Sequence, residues 1–113
     1  MTTTFPSTES KKLLIILRVE AGCLGPQGEE HILKFCELSN KSFNTINSDF
    51  IYWEMIPRKD KILPEIQYKI GNKILPHEKA KIYLSMYNQD IDELEEQISN
   101  KILSEIDLYF SHK

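Results

Sequence analysis

The chain of 113 residues has two cysteines, four glycines and no long apolar run, and each shortage excludes a class of protein. Two cysteines form at most one disulfide, so the chain is not a disulfide scaffold. Four glycines and five prolines are too few for a collagenous or low-complexity chain. No stretch approaches the roughly 18 apolar residues of a membrane span. We therefore expect a chain that does not enter a membrane.

We also expect no export signal, although the segment from Lys11 to Cys23 superficially imitates one. Its apolar run, Leu13 to Leu17, is shorter than the roughly 7 to 15 residues of a signal core. Glu20 is acidic where a lipoprotein signal has an aliphatic residue. Without export both thiols stay reduced, and the sequence predicts a cytoplasmic location.

The composition is that of an ordinary globular domain, with 41% hydrophobic and 27% charged residues. A chain of this length buries about two-thirds of the surface that its unfolded form exposes, which is enough for one core. Residues 1–10 are rich in Thr and Ser and predict a flexible N-terminal tail. Residues 11–113 are predicted to form a single domain. The net charge of −3 provides no general attraction to nucleic acid or to anionic membranes.

Four segments have the pattern of β-strands. The uninterrupted aliphatic run from Leu13 to Leu17 predicts an interior strand. Residues 50–56 are aromatic or β-branched on both faces and predict a second buried strand. Residues 65–70 alternate between apolar and polar, which predicts a third strand with one solvated face, nearer the edge of the sheet. Gly71 and Asn72 then form a two-residue turn into a short strand over 73–75.

Three segments have helical spacing. The first runs from Glu29 to an exit at Ser39 and Asn40, the second from Pro76 to Tyr87, and the third opens at a cap on Asp90. The order β-α-β-β-(β)-α-α predicts an α+β fold. We expect a three- to four-stranded antiparallel or mixed sheet, with the first strand central and the helices packed on one face.

A glycine-rich loop over residues 21–28 joins the first strand to the first helix. Such a junction can present backbone N–H groups to an anion, but this loop matches no phosphate-binding or dinucleotide-binding glycine motif. Glu29 and Glu30 would also repel a phosphate at the helix start. We therefore interpret the glycines as residues of a tight turn.

Within this loop Cys23 is the candidate nucleophile, and His31, eight residues later, is the candidate base. A cysteine just before a helix gains thiolate character from the helix dipole. Because two carboxylates follow and no Lys or Arg is near, we expect an ordinary thiol. No catalytic residue is therefore assigned, and a thiol-dependent enzyme or redox protein using Cys23 is kept as an alternative function.

The sequence predicts neither a metal site nor a cofactor. Cys36 lies on the apolar stripe of the first helix and is expected to be a small buried hydrophobe. His31, His77 and His112 are scattered, and no histidine or cysteine has the Cys-x-x-Cys or His-x-x-x-His spacing of a zinc site.

Charge is unevenly distributed along the second half of the chain. Residues 57–81 hold seven basic and three acidic residues, whereas residues 88–113 hold seven acidic residues and two lysines. Tyr52, Trp53 and Tyr68 flank the basic stretch 58–81. A second alternative function is therefore weak binding of single-stranded nucleic acid through this stretch. We favour a solvated surface, in which Lys69 and Lys73 discourage pairing at a sheet edge, and expect no strong nucleic-acid binding.

The end of the last helix carries more apolar residues than one contact needs. Six of the nine residues from 102 to 110 are apolar, whereas a helix that lies on a sheet needs a stripe of only about 100°. We expect the interaction surface to contain five of these six residues together with two lysines. Its residues are Ile102, Ile106, Leu108, Tyr109, Phe110, Lys69 and Lys73.

The sequence as a whole predicts a small non-catalytic protein-interaction domain of the accessory, immunity or inhibitor-like kind. Its expected partner is another protein or a second copy of the chain, which would form a homodimer.

Overall fold

The computed structural model describes residues 12–111, and the predicted tail over residues 1–10 lies outside them. The elements are β1 (Leu13–Val19), a 3₁₀ turn (Ala21–Leu24), α1 (Gly28–Phe43), β2 (Ile51–Pro57), β3 (Ile66–Ile70), β4 (Lys73–Leu75), α2 (His77–Ser85) and α3 (Ile91–Ser111). The predicted α+β class is confirmed, with four strands in one mixed sheet. The chain divides between Leu75 and Pro76 into two compact units. The single domain over 11–113 stays a prediction that the cooperativity of unfolding would test.

The first unit contains the sheet, in which the strand order is β2-β1-β3-β4. β1 runs parallel to β2 and antiparallel to β3, and β4 returns antiparallel along β3. β1 has a neighbour on each side, as its aliphatic run predicted. β3, expected nearer the edge, is also an interior strand, because the three-residue β4 covers its outer side.

One face of the sheet holds the core of the first unit. The register aligns Ile15 of β1 with Trp53 of β2 and with Tyr68 of β3, and all three side chains are buried. On the same face Leu13 is aligned with Ile51, and Leu17 is aligned with Met55. These four side chains are buried as well. Removing this apolar surface from water is the main stabilising contribution to the sheet.

α1 contacts β2 and blocks its outer edge. Asn40 accepts a hydrogen bond from the backbone N–H of Met55 at 2.7 Å and donates one to its carbonyl oxygen at 3.0 Å. Asn44, one turn later, makes the same pair of bonds with Trp53. The two amides make the hydrogen bonds that a neighbouring strand would make with β2. They thereby satisfy backbone N–H and C=O groups at this edge of the sheet. The predicted exit at Asn40 is therefore wrong, since this amide bonds to β2 and the helix continues to Phe43.

The glycine-rich loop depends on a close backbone approach at Gly28. α1 begins at this residue, and a Cβ there would overlap the carbonyl oxygen of Ala21. Gly25 has a φ of +94°, which L side chains rarely adopt. Gly25 is thus a turn residue, as predicted, whereas Gly28 lets the helix start lie against the 3₁₀ turn.

The second unit consists of α2 and α3. Pro76, which caps α2 rather than starting it, has a φ of −62° that suits a helix entrance. Asp90 caps α3 as predicted, because its Oδ1 accepts a hydrogen bond from the N–H of Asp92 at 3.1 Å. Within residues 12–111, none of the helices combines the length and the apolar character that crossing a membrane requires. The buried residues of this unit are Ala80, Leu84, Ile91, Leu94 and Ile98.

Candidate interaction surface

The second half of α3 carries apolar side chains, none of which is buried. In the first half Ile91, Leu94 and Ile98 are buried, whereas the residues over 101–111 are all half-buried or exposed. Five of the apolar residues among them belong to the predicted interaction surface. We define the α3 end as these five residues together with Leu103: Ile102, Leu103, Ile106, Leu108, Tyr109 and Phe110.

The buried stripe of α3 ends where an ion pair begins. Lys101 and Glu105 lie seven residues after Leu94 and Ile98, respectively, and so continue the same side of the helix. Nζ of Lys101 contacts Oε2 of Glu105 at 3.2 Å, and both side chains are partly buried. Lys101 and Glu105 therefore occupy part of the side that Leu94 and Ile98 begin, while half-buried Ile102 and Ile106 continue the remainder of it.

Leu103 is the most exposed residue of the α3 end, with 64% of its surface accessible, and Leu108 follows with 52%. The sequence prediction included Leu108 but omitted Leu103. The signal that identifies Leu103 is spacing, because it lies seven residues before Phe110 and shares its side of the helix. Tyr109 and Phe110 are half-buried, and their rings meet edge-on with centroids 5.1 Å apart.

Both predicted interaction lysines lie on the β3–β4 hairpin of the first unit. Lys69 is aligned with Ile74, and Lys73 is aligned with Ile70. Ile74 is 62% exposed, on the edge strand of the sheet. Ile74 therefore lies beside Lys69 on one face of the hairpin, whereas Lys73 lies beside Ile70 on the other.

The two candidates for thiol chemistry are placed on neighbouring elements. Cys23 lies exposed in the 3₁₀ turn, and His31 is half-buried near the start of α1. No hydrogen bond or ion pair among residues 12–111 involves the Cys23 thiol. Cys36 is buried as predicted, and burial raises the pKa of its thiol to about 11. That thiol stays protonated and unreactive at neutral pH.

Part of the predicted basic stretch is neutralised by ion pairs. Oε2 of Glu20 lies 2.8 Å from Nη1 of Arg58, and its Oε1 lies 3.0 Å from Nζ of Lys61. Lys61 and, next, Arg58 lower the pKa of Glu20 through these hydrogen bonds. Arg58 also donates from Nη2 to the carbonyl oxygens of Lys61 and Leu63. These two cations therefore hold the loop after β2 instead of offering charge to a phosphate.

Two of the three aromatic residues suggested for base stacking belong to the core. Trp53 and Tyr68 are each only 4% exposed. Trp53 donates from Nε1 to the carbonyl oxygen of Ile46 at 2.9 Å, and its ring centroid lies 5.2 Å from that of Phe43. Because they are buried, these two rings cannot stack on bases. Of the residues suggested for nucleic-acid binding, Tyr52 and the exposed lysines of the stretch 58–81 are still accessible.

Three side chains of metal-ligating type converge in the second unit. One ligand atom from each of His77, Asp92 and Glu95 lies within 4.8 Å of the other two. Nε2 of His77 is 3.7 Å from Oε2 of Glu95. The sequence prediction of no metal site used cysteine and histidine spacing alone. It missed this group because the donors come from two helices and two of them are carboxylates.

Comparison with known proteins gives no match to a protein-family model, to a curated protein or to a solved structure. The fold and its surfaces define the chain as an α+β protein with a four-stranded mixed sheet and three helices. Its function has to be argued from these surfaces.

Proposed function

We propose that the chain is a non-catalytic protein-interaction domain that docks its partner through the α3 end. The observation that carries this proposal is the contrast within α3, where buried apolar residues in the first half give way to half-buried or exposed ones in the second. Apolar surface in water is unfavourable until something covers it, so clustered exposure is typical of a binding surface. Leu103 and Leu108 are the residues on which the docking depends most.

The partner in this proposal is a second copy of the chain. The α3 end is set in an acidic helix, because residues 88–111 hold seven acidic residues and one lysine. The β3–β4 hairpin is its complement, since exposed Ile74 lies there beside Lys69, and Lys73 adds a second positive charge next to the turn. Placing the α3 end of one copy on the hairpin of another covers apolar surface on both sides. The opposite charges then steer the encounter more than they tighten it.

Two further observations support a binding role in the cytoplasm. The Cys23 thiol makes no hydrogen bond among the described residues, which favours binding over thiol catalysis. Cys23 and Cys36 are both free thiols, as is usual for proteins of a reducing compartment.

Sedimentation velocity of the untagged chain over a roughly hundredfold range of concentration tests the docking surface. We expect the wild type to dimerise and the double variant Leu103→Gln with Leu108→Gln to dissociate at least about tenfold more readily. The matched control is Leu33→Gln on α1, because Leu33 is 69% exposed and should leave the dimer unchanged. Circular dichroism confirms that each variant is folded.

A charge-reversal pair tests the other side of the contact. Lys69→Glu with Lys73→Glu should weaken the dimer and slow its formation, most strongly at low salt. Lys79→Glu with Lys81→Glu makes the same change of charge on α2 and should have little effect. A wild type that stays monomeric at every concentration would overturn the second copy as partner. A dimer insensitive to both leucine changes would overturn the α3 end as the docking surface.

A further inference from the structure

The side chains of His77, Asp92 and Glu95 meet where two helices begin. His77 is the first residue of α2, and Asp92 and Glu95 lie three residues apart near the start of α3, on one side of that helix. Their ligand atoms all lie within 4.8 Å of one another. Around a zinc-sized ion with bonds of about 2.1 Å, neighbouring ligand atoms are roughly 3 to 3.5 Å apart. Small rotations of these partly exposed side chains are enough to close the difference.

We propose that these three residues bind one divalent transition-metal ion of the zinc class. An imidazole nitrogen and two carboxylate oxygens suit Zn²⁺ and its first-row neighbours, whereas Ca²⁺ and Mg²⁺ prefer oxygen ligands alone. Three protein ligands on an accessible surface leave coordination positions for water. The bound ion would link α2 to α3, and this site is independent of docking through the α3 end.

A simpler explanation accounts for part of the cluster. Acidic residues are favoured in the first turn of any helix, because they interact with its dipole, and Asp92 and Glu95 fit that rule. The rule does not explain why the imidazole of a different helix lies within 4.8 Å of both carboxylates. The convergence of an imidazole and two carboxylates from two helices is what distinguishes this group from ordinary helix-start acids.

Isothermal titration calorimetry of Zn²⁺ into the untagged full chain tests the proposal, and the visible absorption of bound Co²⁺ reports the ligand set. We expect one ion per chain. Asp92→Asn, Glu95→Gln and His77→Ala should each weaken binding at least about tenfold and change the Co²⁺ spectrum. The matched controls Asp90→Asn and Glu93→Gln remove carboxylates from the same helix start but outside the cluster, and should bind as the wild type does.

The melting temperature provides a second readout. A metal that binds only the folded chain raises it, so Zn²⁺ should stabilise the wild type and both controls more than Glu95→Gln, which keeps the size of the side chain. Absence of Zn²⁺ binding by the folded wild type would overturn the proposal. Equal weakening in the controls and in the three cluster variants would also overturn it, because the ion would then respond to general negative charge.

Discussion

The two units of the molecule use their polar and apolar side chains in different ways. In the first unit the amides of Asn40 and Asn44 bond to the backbone edge of β2, and Arg58 holds the loop that follows β2. In the second unit α3 has 21 residues, but its buried side chains end at Ile98. These polar side chains of the first unit therefore complete its own structure. Exposed apolar side chains occur in both units, with Leu33 and Ile62 in the first and Leu103 and Leu108 in the second.

This difference indicates which residues are functional candidates. Trp53 and Arg58 belong to types that are common at binding sites, yet one is buried in the core and the other is bonded to Glu20. In the second unit, by contrast, Leu103 and Leu108 of the α3 end and His77 and Asp92 of the cluster are exposed. The α3 end and the cluster lie in the second unit, whereas the hairpin proposed as the other side of the docking contact lies in the first.

The largest effect should come from Gly28→Ala in the first unit. The added Cβ would overlap the carbonyl oxygen of Ala21, so the backbone of the 3₁₀ turn or of α1 must move. We expect a loss of about 4 kcal/mol or more in the free energy of unfolding, measured by urea denaturation. Gly22→Ala is the control, since its Cβ meets no atom within 4 Å, and should change stability by less than about 1 kcal/mol. Equal costs would contradict the close approach at Gly28.

A pair of substitutions within α3 sharpens the contrast between its two halves. Ile98→Ala removes a buried side chain and should cost about 2 to 4 kcal/mol. Leu103→Ala removes an exposed one and should change stability by less than about 0.5 kcal/mol. Thermal unfolding at a concentration where the chain is monomeric measures both. A cost for Leu103→Ala near that of Ile98→Ala would assign the α3 end to the core and contradict its role as a docking surface.

Much of the fold could be predicted because burial is encoded in local patterns. The aliphatic run of β1, the aromatic and β-branched content of β2, the alternation of β3, the turn before β4 and the stripes of the helices identified each β-strand and α-helix of residues 12–111, whereas the 3₁₀ turn was predicted as a loop. The mixed order β2-β1-β3-β4 could not be predicted, since it depends on pairing between strands far apart in the chain. The role of Asn40 was hidden for the same reason, because its partner Met55 is 15 residues away.

The candidate sites were predictable to different degrees. The excess of apolar residues after Ile98 is visible in the sequence, and the seven-residue spacing to Phe110 points to Leu103, but the exposure of Leu103 is known only from the structure. The cluster of His77, Asp92 and Glu95 required the three-dimensional placement of two helices. Conversely, counting charges along the sequence overstated the unpaired positive charge of residues 58–81, because the count could not show that Glu20 pairs with Arg58 and Lys61.

The smallest effect concerns the pH dependence of the first unit. Hydrogen bonds from Lys61 and Arg58 hold the pKa of Glu20 below its usual value of 4.5. A carboxyl whose pKa is lower in the folded state contributes stability above its unfolded pKa, and this contribution is lost as the pH falls through the folded pKa. At neutral pH the wild type should therefore be slightly more stable than Glu20→Gln.

That advantage should shrink as the pH falls from about 5 towards 3, and it should disappear once Glu20 is protonated in both states. Urea denaturation of the two proteins at a series of pH values measures the difference, with Glu54→Gln as the control for an exposed glutamate of the same sheet. Salt should reduce the advantage at neutral pH, because Lys61 and Glu20 are reached by solvent. A difference that stayed constant with pH would mean that Glu20 stabilises the loop by packing, and the first unit would then rely on its ion pairs less than we infer.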